Sequence, residues 1–259
     1  MRSSSRTAPA FVQLAAHPVR WRLLTELAAG DYRVRELVSL VGESQNLVSY
    51  HLRLLRDGGL VTATRSSFDG RDSYYHLDLD HCADLLVGTG PGLHPALRMT
   101  PAPPGFNSAV PMAVLFVCTG NSARSTIAEA LLRNHTGGRI DVTSAGSHPK
   151  PEMHPDTVRV LRDEYGIDIA GQQPRHLETL AGRCFDVVIT LCDKAREVCP
   201  EFGDNTWTSH WSIPDPAASG AVGEDSYEVF RATAAEIDTR VRFVLSVLAD
   251  RAIQQQARR

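Results

Sequence analysis

One stretch decides the fold of the second half of the chain: Val114-Leu-Phe-Val-Cys118-Thr-Gly-Asn-Ser-Ala-Arg124-Ser125. An apolar, β-prone run ends at Cys118, a short polar loop follows it, and a helical pattern begins at Ser125. The pattern predicts a strand, a tight loop and a helix N-terminus, where backbone N–H groups and the helix dipole together bind anions. We expect an oxyanion over the Cys118 thiolate, held by the Arg124 guanidinium and by the loop. The loop residues are Thr119, Gly120, Asn121, Ser122 and Ala123.

The same residues carry a family resemblance. The order Cys-x5-Arg-Ser after an apolar strand, with Asn121 in the loop and Ala-Glu-Ala-Leu-Leu behind it, resembles the low-molecular-weight tyrosine phosphatase superfamily. That superfamily includes the thioredoxin-coupled arsenate reductases. The resemblance implies that Cys118 is the nucleophile and that Ser125 hydrogen-bonds its thiolate. A structural cysteine at the end of a buried strand is the alternative interpretation.

Length and composition set the class of protein. A chain of 259 residues predicts two domains of ordinary size. The net charge of −3 restricts any nucleic-acid binding to a local basic patch. No apolar run approaches the length of a membrane span, and the first residues lack the apolar core of a signal peptide. We therefore expect a cytoplasmic protein with no membrane partner, whose five cysteines do not form a disulfide framework.

Residues 10–87 show the pattern of a winged helix-turn-helix domain. A helical pattern is interrupted at His17-Pro18, and two more helices with a short turn between them follow up to Arg56. Two β-prone runs on either side of Asp69-Gly70 predict a hairpin. The order and spacing resemble the ArsR-type winged-helix regulators, from His-Pro-Val-Arg-Trp-Arg-Leu-Leu through Ser-Tyr-His-Leu-Arg-Leu-Leu-Arg to the Asp-Gly-Arg wing. The resemblance implies a homodimer on double-stranded DNA, formed through the first and last helices.

A recognition helix in the major groove presents its N-terminal residues to the bases. The candidates for base contacts are Gln45, Asn46, Ser49 and Tyr50. The candidates for phosphate or minor-groove contacts are Arg53, Arg65 and Arg71. A winged helix that dimerises or binds protein without contacting DNA is the alternative.

No metal site is predicted in this first domain. The helix Val34–Val41 lacks the paired cysteines that the metal-sensing members of the resembled family carry. A small polar cluster follows the wing, and we expect it to cap and solvate the start of a helix; a site for a soft ion across a dimer is the alternative. Its members are Asp78, Asp80, His81 and Cys82.

The rest of the chain shows the patterns of a linker and a second domain. Residues 88–111 hold six prolines and four glycines and predict an extended linker. Over residues 112–252, strands alternate with helices, which predicts an α/β domain with a parallel sheet covered by helices on both faces. The final helix of this domain is expected at Tyr227 to Ala252, where apolar residues recur at helical spacing.

Two cysteines far from the loop indicate redox chemistry. Cys192 ends an apolar strand, Cys199 follows seven residues later, and Thr-Leu-Cys-Asp-x5-Cys-Pro resembles the redox segment of the thioredoxin-coupled arsenate reductases. On an intact helix the two cysteines would lie about 10.5 Å apart along the axis. A disulfide needs Cα atoms within roughly 7 Å, so the two cysteines can bridge only if this segment unwinds or loops. The resemblance implies that unwinding is part of the reaction cycle. Two unrelated core thiols are the alternative, and Cys184 is expected to be a buried filler.

Asp215-Pro216 matches the position from which the resembled superfamily supplies a general acid. The residue after it is Ala217, where tyrosine phosphatases of this superfamily carry an aromatic side chain that frames the substrate ring. The alanine disfavours a protein-phosphatase function.

The combined hypothesis is reduction of arsenate to arsenite by a thiol relay. The resemblance implies that Cys118 attacks arsenate, Asp215 protonates the departing oxygen, Cys192 attacks the Cys118 sulfur, and Cys199 then forms a disulfide with Cys192. No bound cofactor is expected, only an external reductant, either thioredoxin or a low-molecular-weight thiol system. The alternatives are a phosphatase, which needs neither Cys192 nor Cys199, and a transcription factor whose second domain only senses an oxyanion.

Overall fold

The computed structural model describes residues 7–68, 70–98, 112–200, 202–203 and 205–257. The chain divides into two compact units, one N-terminal and one C-terminal. Within the described ranges, no helix combines the length and the apolar character that crossing a membrane requires.

The N-terminal unit combines five described helices with a small antiparallel sheet. Its helices are α1 (Ala10–Ala15), α2 (Pro18–Leu27), α3 (Val34–Val41), α4 (Gln45–Asp57) and α5 (Leu79–Leu93). Its strands are β1 (Tyr32–Arg33), β2 (Val61–Arg65) and β3 (Ser73–Leu77), which pair in the order β1-β3-β2. The predicted winged helix-turn-helix fold is confirmed, with α3 and α4 as the helix pair and β2 and β3 as the hairpin.

Local sequence sets the ends of these helices. His17 caps α2 by accepting a hydrogen bond from the Val19 N–H at 3.2 Å, and Pro18 takes the first helical position, where an N–H would have no helical partner. Gly42 has a φ of 72°, the left-handed conformation that ends α3 and allows α4 to begin shortly after it. The helices enclose a fully buried core that includes Leu23, Leu37, Leu52 and Leu55.

Two features of this unit differ from the sequence prediction. Helix α5 continues through Pro91 to Leu93, so residues 88–93 are helical where an extended linker was predicted. Because extending an existing helix needs no new nucleus, α5 can continue through these residues despite the poor helix propensities of glycine and proline. Strand β1 has only two residues and was not predicted. The linker prediction for residues 99–111 falls outside the described residues.

The C-terminal unit is a parallel sheet flanked by helices. Its strands are β4 (Ala113–Cys118), β5 (Asp141–Gly146), β6 (Val187–Thr190) and β7 (Trp207–His210), in the order β5-β4-β6-β7. Its helices are α6 (Arg124–His135), α7 (Pro155–Tyr165), α8 (Asp193–Val198) and α9 (Glu224–Ala257). The central strand β4 lies in the core, where Val114 to Val117 are fully buried. The predicted α/β fold is confirmed.

The strand register determines where the site lies. Cys118, the last residue of β4, pairs with Gly146 at the end of β5, and Thr190 at the end of β6 pairs with His210 at the end of β7. Because parallel strands bring their carboxyl ends to one edge of the sheet, the segments that follow them meet there. The loop after Cys118, the segment that begins with Cys192 and the loop that carries Asp215 therefore start at the same edge.

Gly146 allows the loop after β4 to approach β5 closely. A Cβ atom on Gly146 would lie 2.6 Å from the Thr119 carbonyl oxygen, which is closer than real Cβ contacts come. The carbonyls of Cys118 and Thr119 accept hydrogen bonds from the N–H groups of Ser147 and His148 at 3.1 and 2.8 Å. Backbone contacts thus hold the loop against the end of β5.

Three details of this unit differ from the sequence prediction. Strand β7 was not predicted, because four residues are too few to show a periodic pattern. Helix α9 exceeds the predicted Tyr227–Ala252 at both ends. The expectation that Cys184 is a buried filler is wrong, since Cys184 is exposed and the neighbouring Phe185 turns into the core instead.

Candidate active site

Cys118, the nucleophile that the sequence resemblance implies, ends β4 beside a loop shaped by Asn121. Asn121 has a φ of 47°, in the left-handed region that asparagine tolerates better than most residues. Its backbone N–H donates a hydrogen bond to the Cys118 sulfur at 3.2 Å. Cys118 is buried at the end of β4. The loop backbone therefore gives the Cys118 sulfur one hydrogen-bond donor.

The Asn121 side chain orders the hydroxyl groups around the sulfur. Its Nδ2 donates to the Ser125 Oγ at 2.9 Å and to the Ser144 Oγ at 2.8 Å, and its Oδ1 accepts from the Arg175 N–H at 2.7 Å. Ser144 in turn donates to Glu129 at 2.6 Å. Since Ser125 accepts from Asn121, its single hydrogen is left to donate to the Cys118 sulfur, 3.0 Å away. The network therefore supplies the sulfur with a second donor.

Arg124 is held at the other side of the loop. Its Nη1 donates to the Ile213 carbonyl oxygen at 3.0 Å, and its Nη2 lies 3.1 Å from Asp215 Oδ2. The guanidinium is buried, whereas Asp215 is 42 % exposed. The Arg124 Nε has no hydrogen-bond partner among the residues that the structure describes. A buried guanidinium N–H without a partner is unusual in a finished core and fits a site that binds an oxyanion.

Cys192 lies beside the same loop. Its sulfur is 3.2 Å from the Thr119 Oγ1, and it is buried just before α8. Burial raises the pKa of the Cys192 thiol, while the Arg124 charge and the Thr119 hydrogen bond oppose part of that rise. The sequence predicted that Cys118, Arg124 and Cys192 act in one site. In the structure all three lie at the same loop.

Cys199 stands at the opposite end of α8. The helix has six residues, with Cys192 before its first residue and Cys199 after its last. Cys199 is half-buried, and burial raises the pKa of its thiol to about 11. All five cysteines are free thiols. The two cysteines at the ends of α8 cannot bridge while the helix is intact, because a disulfide needs Cα atoms within roughly 7 Å.

Comparison with known families accounts for this combination of loop and fold. Residues 113–257, more than half of the chain, match the model of the family "Low molecular weight phosphotyrosine protein phosphatase". The chain belongs to this family.

Several curated proteins that resemble the C-terminal unit are named arsenate reductases. An "Arsenate reductase" of Halalkalibacterium halodurans is 36% identical over 129 residues, which is 50% of this chain and 91% of the relative. An "Arsenate reductase" of Bacillus subtilis is 32% identical with the same coverage of both chains. A "Glutaredoxin arsenate reductase" of Synechocystis sp. is 32% identical over 52% of this chain and 98% of the relative.

The N-terminal unit of this family member contains a second match. Residues 17–63 match the model "Bacterial regulatory protein, arsR family". On the surface of α4, five of the candidate DNA-binding side chains are exposed on one face, namely Gln45, Asn46, Ser49, Tyr50 and Arg53. The Arg53 guanidinium lies 5.7 Å from the centre of the Tyr50 ring. Arg65 at the end of β2 and Arg71 just before β3 are exposed as well.

The polar cluster after the wing is a helix cap. Asp78 accepts a hydrogen bond from the His81 N–H at 2.9 Å at the start of α5, as the sequence indicated. Burial, reinforced by the nearby Asp78 charge, raises the pKa of the Cys82 thiol to about 11. In the described part of the chain, no group of three or more His, Cys, Asp or Glu side chains is arranged to hold a metal ion.

Four contacts of the active site were missed by the sequence interpretation. They join Asn121 to Ser144, Asn121 to the Arg175 N–H, Thr119 to Cys192, and Arg124 to the Ile213 carbonyl. The partners are between 23 and 89 positions apart, so no spacing motif contains them. One signal was available, since Ser144 lies two residues before the end of β5, close to the edge of the sheet where parallel strands place their functional residues.

The half-buried position of Cys199 predicts how the reaction with Cys192 that the resemblance implies would depend on pH. If Cys199 reacted from the intact helix, the rate would rise tenfold per pH unit up to about pH 11, because only the thiolate attacks. We expect instead that α8 unwinds first, exposes Cys199 and returns its pKa to about 8.5. In rapid-quench single turnovers, the rate of formation of the Cys192–Cys199 disulfide should therefore level off above about pH 8.5. A rate that still rises beyond pH 10 would contradict prior unwinding.

Proposed function

We propose that the C-terminal unit, predicted as the domain 112–252, reduces arsenate to arsenite by a relay of three thiols. The observation that carries the proposal is the position of Cys192, whose sulfur lies 3.2 Å from Thr119 of the loop that also holds Cys118. Hydrolysis of a phosphate ester would require Cys118, Arg124 and Asp215 but not a second thiol beside the anion loop. Relatives named arsenate reductase over nearly their whole length support the same reaction.

The first step binds and captures the oxyanion. Backbone N–H groups of the loop, from Thr119 to Ala123, and the Arg124 guanidinium hold arsenate over Cys118. The bound anion replaces Asp215 as the ion-pair partner of Arg124. Asp215 can then face the leaving oxygen and donate a proton to it. The Cys118 thiolate forms a bond to arsenic, one As–O bond breaks, and that oxygen leaves as water with the Asp215 proton.

The next two steps reduce arsenic and regenerate the Cys118 thiolate. The Cys192 thiolate attacks the Cys118 sulfur, an S–S bond forms, and the S–As bond breaks with its electron pair remaining on arsenic. Arsenic is thereby reduced from As(V) to As(III) and leaves as arsenite. The Cys199 thiolate then attacks the Cys192 sulfur, which forms the Cys192–Cys199 disulfide and frees the Cys118 thiolate.

An external thiol reductant must reduce the Cys192–Cys199 disulfide, since this chain has no other electron source in the scheme. Val198 and Pro200, which flank Cys199, are exposed, so a disulfide at this end of α8 would be within reach of a protein or a small thiol. The relative named glutaredoxin arsenate reductase supports a thiol donor, either thioredoxin-like or of low molecular weight. Such a donor pool and free cysteines favour the cytoplasm as the place of action.

The test is a coupled assay with two substrates. Arsenate-dependent NADPH consumption is measured with thioredoxin and its reductase, and with a glutaredoxin system, for the wild type and for Cys192→Ser. Aryl phosphate hydrolysis is measured in parallel. We expect the wild type to reduce arsenate with at least one donor and Cys192→Ser to lose that activity. Fast hydrolysis without any reduction in the wild type would refute the relay.

Phosphate ester hydrolysis is the second candidate function. Cys118, Arg124 and Asp215 suffice for it, and the matched family is named for phosphotyrosine phosphatases. Ala217 provides no aromatic side chain beside Asp215 to frame a substrate ring. We therefore rank hydrolysis below arsenate reduction. An oxyanion-sensing role without catalysis would show as arsenate-dependent DNA affinity in a Cys118→Ser variant.

We further propose that the N-terminal unit, predicted as the domain 10–87, binds double-stranded DNA as a homodimer. The match to the arsR family over residues 17–63 and the exposed polar face of α4 support DNA binding. In this proposal Gln45, Asn46, Ser49 and Tyr50 contact bases. Arg53, Arg65 and Arg71 contact the backbone or the minor groove.

The two classes of DNA contact predict different mutant behaviour. Arg53→Ala should weaken binding to specific and unrelated duplexes alike and reduce the slope of log affinity against log salt by about 1. Gln45→Ala should weaken binding to the specific duplex alone, by about 1–3 kcal/mol. Fluorescence anisotropy with DNA from upstream of the gene measures the affinity and the salt slope. The control is Arg162→Ala, which changes an exposed arginine of α7. Wild-type protein that fails to bind at low salt would refute DNA binding.

A further inference from the structure

The two ends of α8 are held differently. Cys192, Asp193 and Ala195 at its beginning are buried, whereas Glu197 and Val198 at its end are exposed. Bringing Cys199 to Cys192 requires the helix to unwind, and the more exposed end loses fewer contacts when it moves. The structure thus provides a fixed end next to the oxyanion loop and a loose end next to Cys199.

Asp193 supplies the contacts that fix the first end. It is the first residue of α8, and its Oδ1 accepts a hydrogen bond from the Ser212 Oγ at 2.8 Å. The His210 Nε2 lies 3.2 Å from the same oxygen, and both His210 and Ser212 are buried. Burial alone would raise the pKa of Asp193, but the hydrogen bonds from His210 and Ser212 hold it well below its usual range. The side chain is therefore a buried carboxylate with strong, charge-assisted hydrogen bonds.

The same hydrogen bonds reach the strand in front of Cys192. The His210 Nδ1 lies 2.8 Å from the Thr190 Oγ1, and Thr190 is the last residue of β6. His210 therefore connects the residue after Cys192 with the strand that leads into it. Cys192 therefore lies between Thr190 and Asp193, which both contact His210 of β7, and its sulfur faces the Thr119 hydroxyl.

We propose that Asp193 is a positioning residue for the relay, which keeps Cys192 beside the oxyanion loop while the far end of α8 unwinds and delivers Cys199. The proposal rests on the thiol relay proposed above. An untethered Cys192 would still have its thiol, but it would spend less time within reach of the Cys118–arsenic adduct. Displacement of a reacting group by about 1 Å is enough to lower a rate 100-fold.

The test compares Asp193→Ala with Asp193→Asn in the full chain. Asparagine keeps an oxygen acceptor of the same size, whereas alanine removes it. Arsenite release is measured in single turnovers by rapid quench. Phosphate affinity and the rate of Cys118 alkylation report on the loop. We expect Asp193→Ala to slow arsenite release at least about tenfold, Asp193→Asn to stay within about threefold of the wild type, and both loop readouts to stay within about twofold.

Controls separate this role from general damage. Lys194→Ala changes the exposed neighbour on α8 and should release arsenite at the wild-type rate. If Asp193→Ala does not fold, Ser212→Ala removes one of the hydrogen bonds to Asp193 and should slow release about threefold. Unchanged release in Asp193→Ala, or an equal loss of release and of phosphate affinity, would overturn the positioning role. Absence of arsenite release in the wild type would instead refute the relay itself.

Discussion

Arg124→Lys is expected to lower kcat/KM for arsenate by about 100- to 1,000-fold. The guanidinium of Arg124 is buried, is oriented by the Ile213 carbonyl, and keeps its Nε without a partner among the described residues. A planar fork of N–H donors binds two oxygens of a tetrahedral anion at once. Lysine would keep the positive charge, but it would lose both the bidentate contact and the hydrogen bond to Ile213 in the same geometry.

Both chemical activities should fall together in this variant. Arsenate reduction and aryl phosphate hydrolysis use the same anion loop, so Arg124→Lys should impair both, and vanadate should bind more weakly. The matched control is Arg162→Lys, which alters an exposed arginine of α7. An Arg124→Lys enzyme within about fivefold of the wild type would show that Arg124 does not hold the oxyanion.

Cys199→Ser is expected to turn the catalyst into a reagent that works once. Cys118 and Cys192 can still reduce one arsenate, because both lie beside the loop. The chain then has no thiol in place to release Cys118 from its disulfide with Cys192. We expect a burst of a single arsenite per chain, followed by a steady rate at least about 100-fold below that of the wild type. Rapid quench with arsenite quantification measures the burst, and the coupled assay measures the steady rate.

The choice of control is set by exposure. Cys184 is an exposed cysteine of the same unit, and Cys184→Ser should retain both the burst and the steady rate. Wild-type turnover in Cys199→Ser would mean that the external donor reduces Cys118–Cys192 directly. No burst at all in Cys199→Ser would mean that arsenite release itself needs Cys199, which the proposed order of steps excludes.

Local patterns predicted the parts of the fold that depend on neighbouring residues. One continuous signal predicted the strand ending at Cys118, the polar loop and the helix after it. The pattern of apolar and polar residues changes from that of a strand to that of a helix within twelve residues. The break at His17-Pro18 and the end of α3 at Gly42 follow from backbone chemistry at single positions. These elements were located correctly without knowledge of tertiary contacts.

The parts that were missed depend on distant residues. Residues 88–93 were interpreted as a linker from their glycines and Pro91, yet α5, which contacts α1, continues through them to Leu93. Strand β7 gains its structure by pairing with β6, which no local pattern records. The hydrogen bonds of Asp193 to His210 and Ser212 likewise join α8 to the end of β7 and the loop after it. Cys192 and Cys199 were recognised by their spacing, but the residue that ties one of them to the sheet was not.

Disulfide mapping after a single turnover tests the relay most directly. Fully reduced protein is mixed with arsenate in the absence of any external thiol, quenched with an alkylating reagent and digested for mass spectrometry. The relay predicts one arsenite per chain, a disulfide between Cys192 and Cys199, and alkylated Cys118, Cys82 and Cys184. Five alkylated cysteines with arsenate unchanged would contradict it.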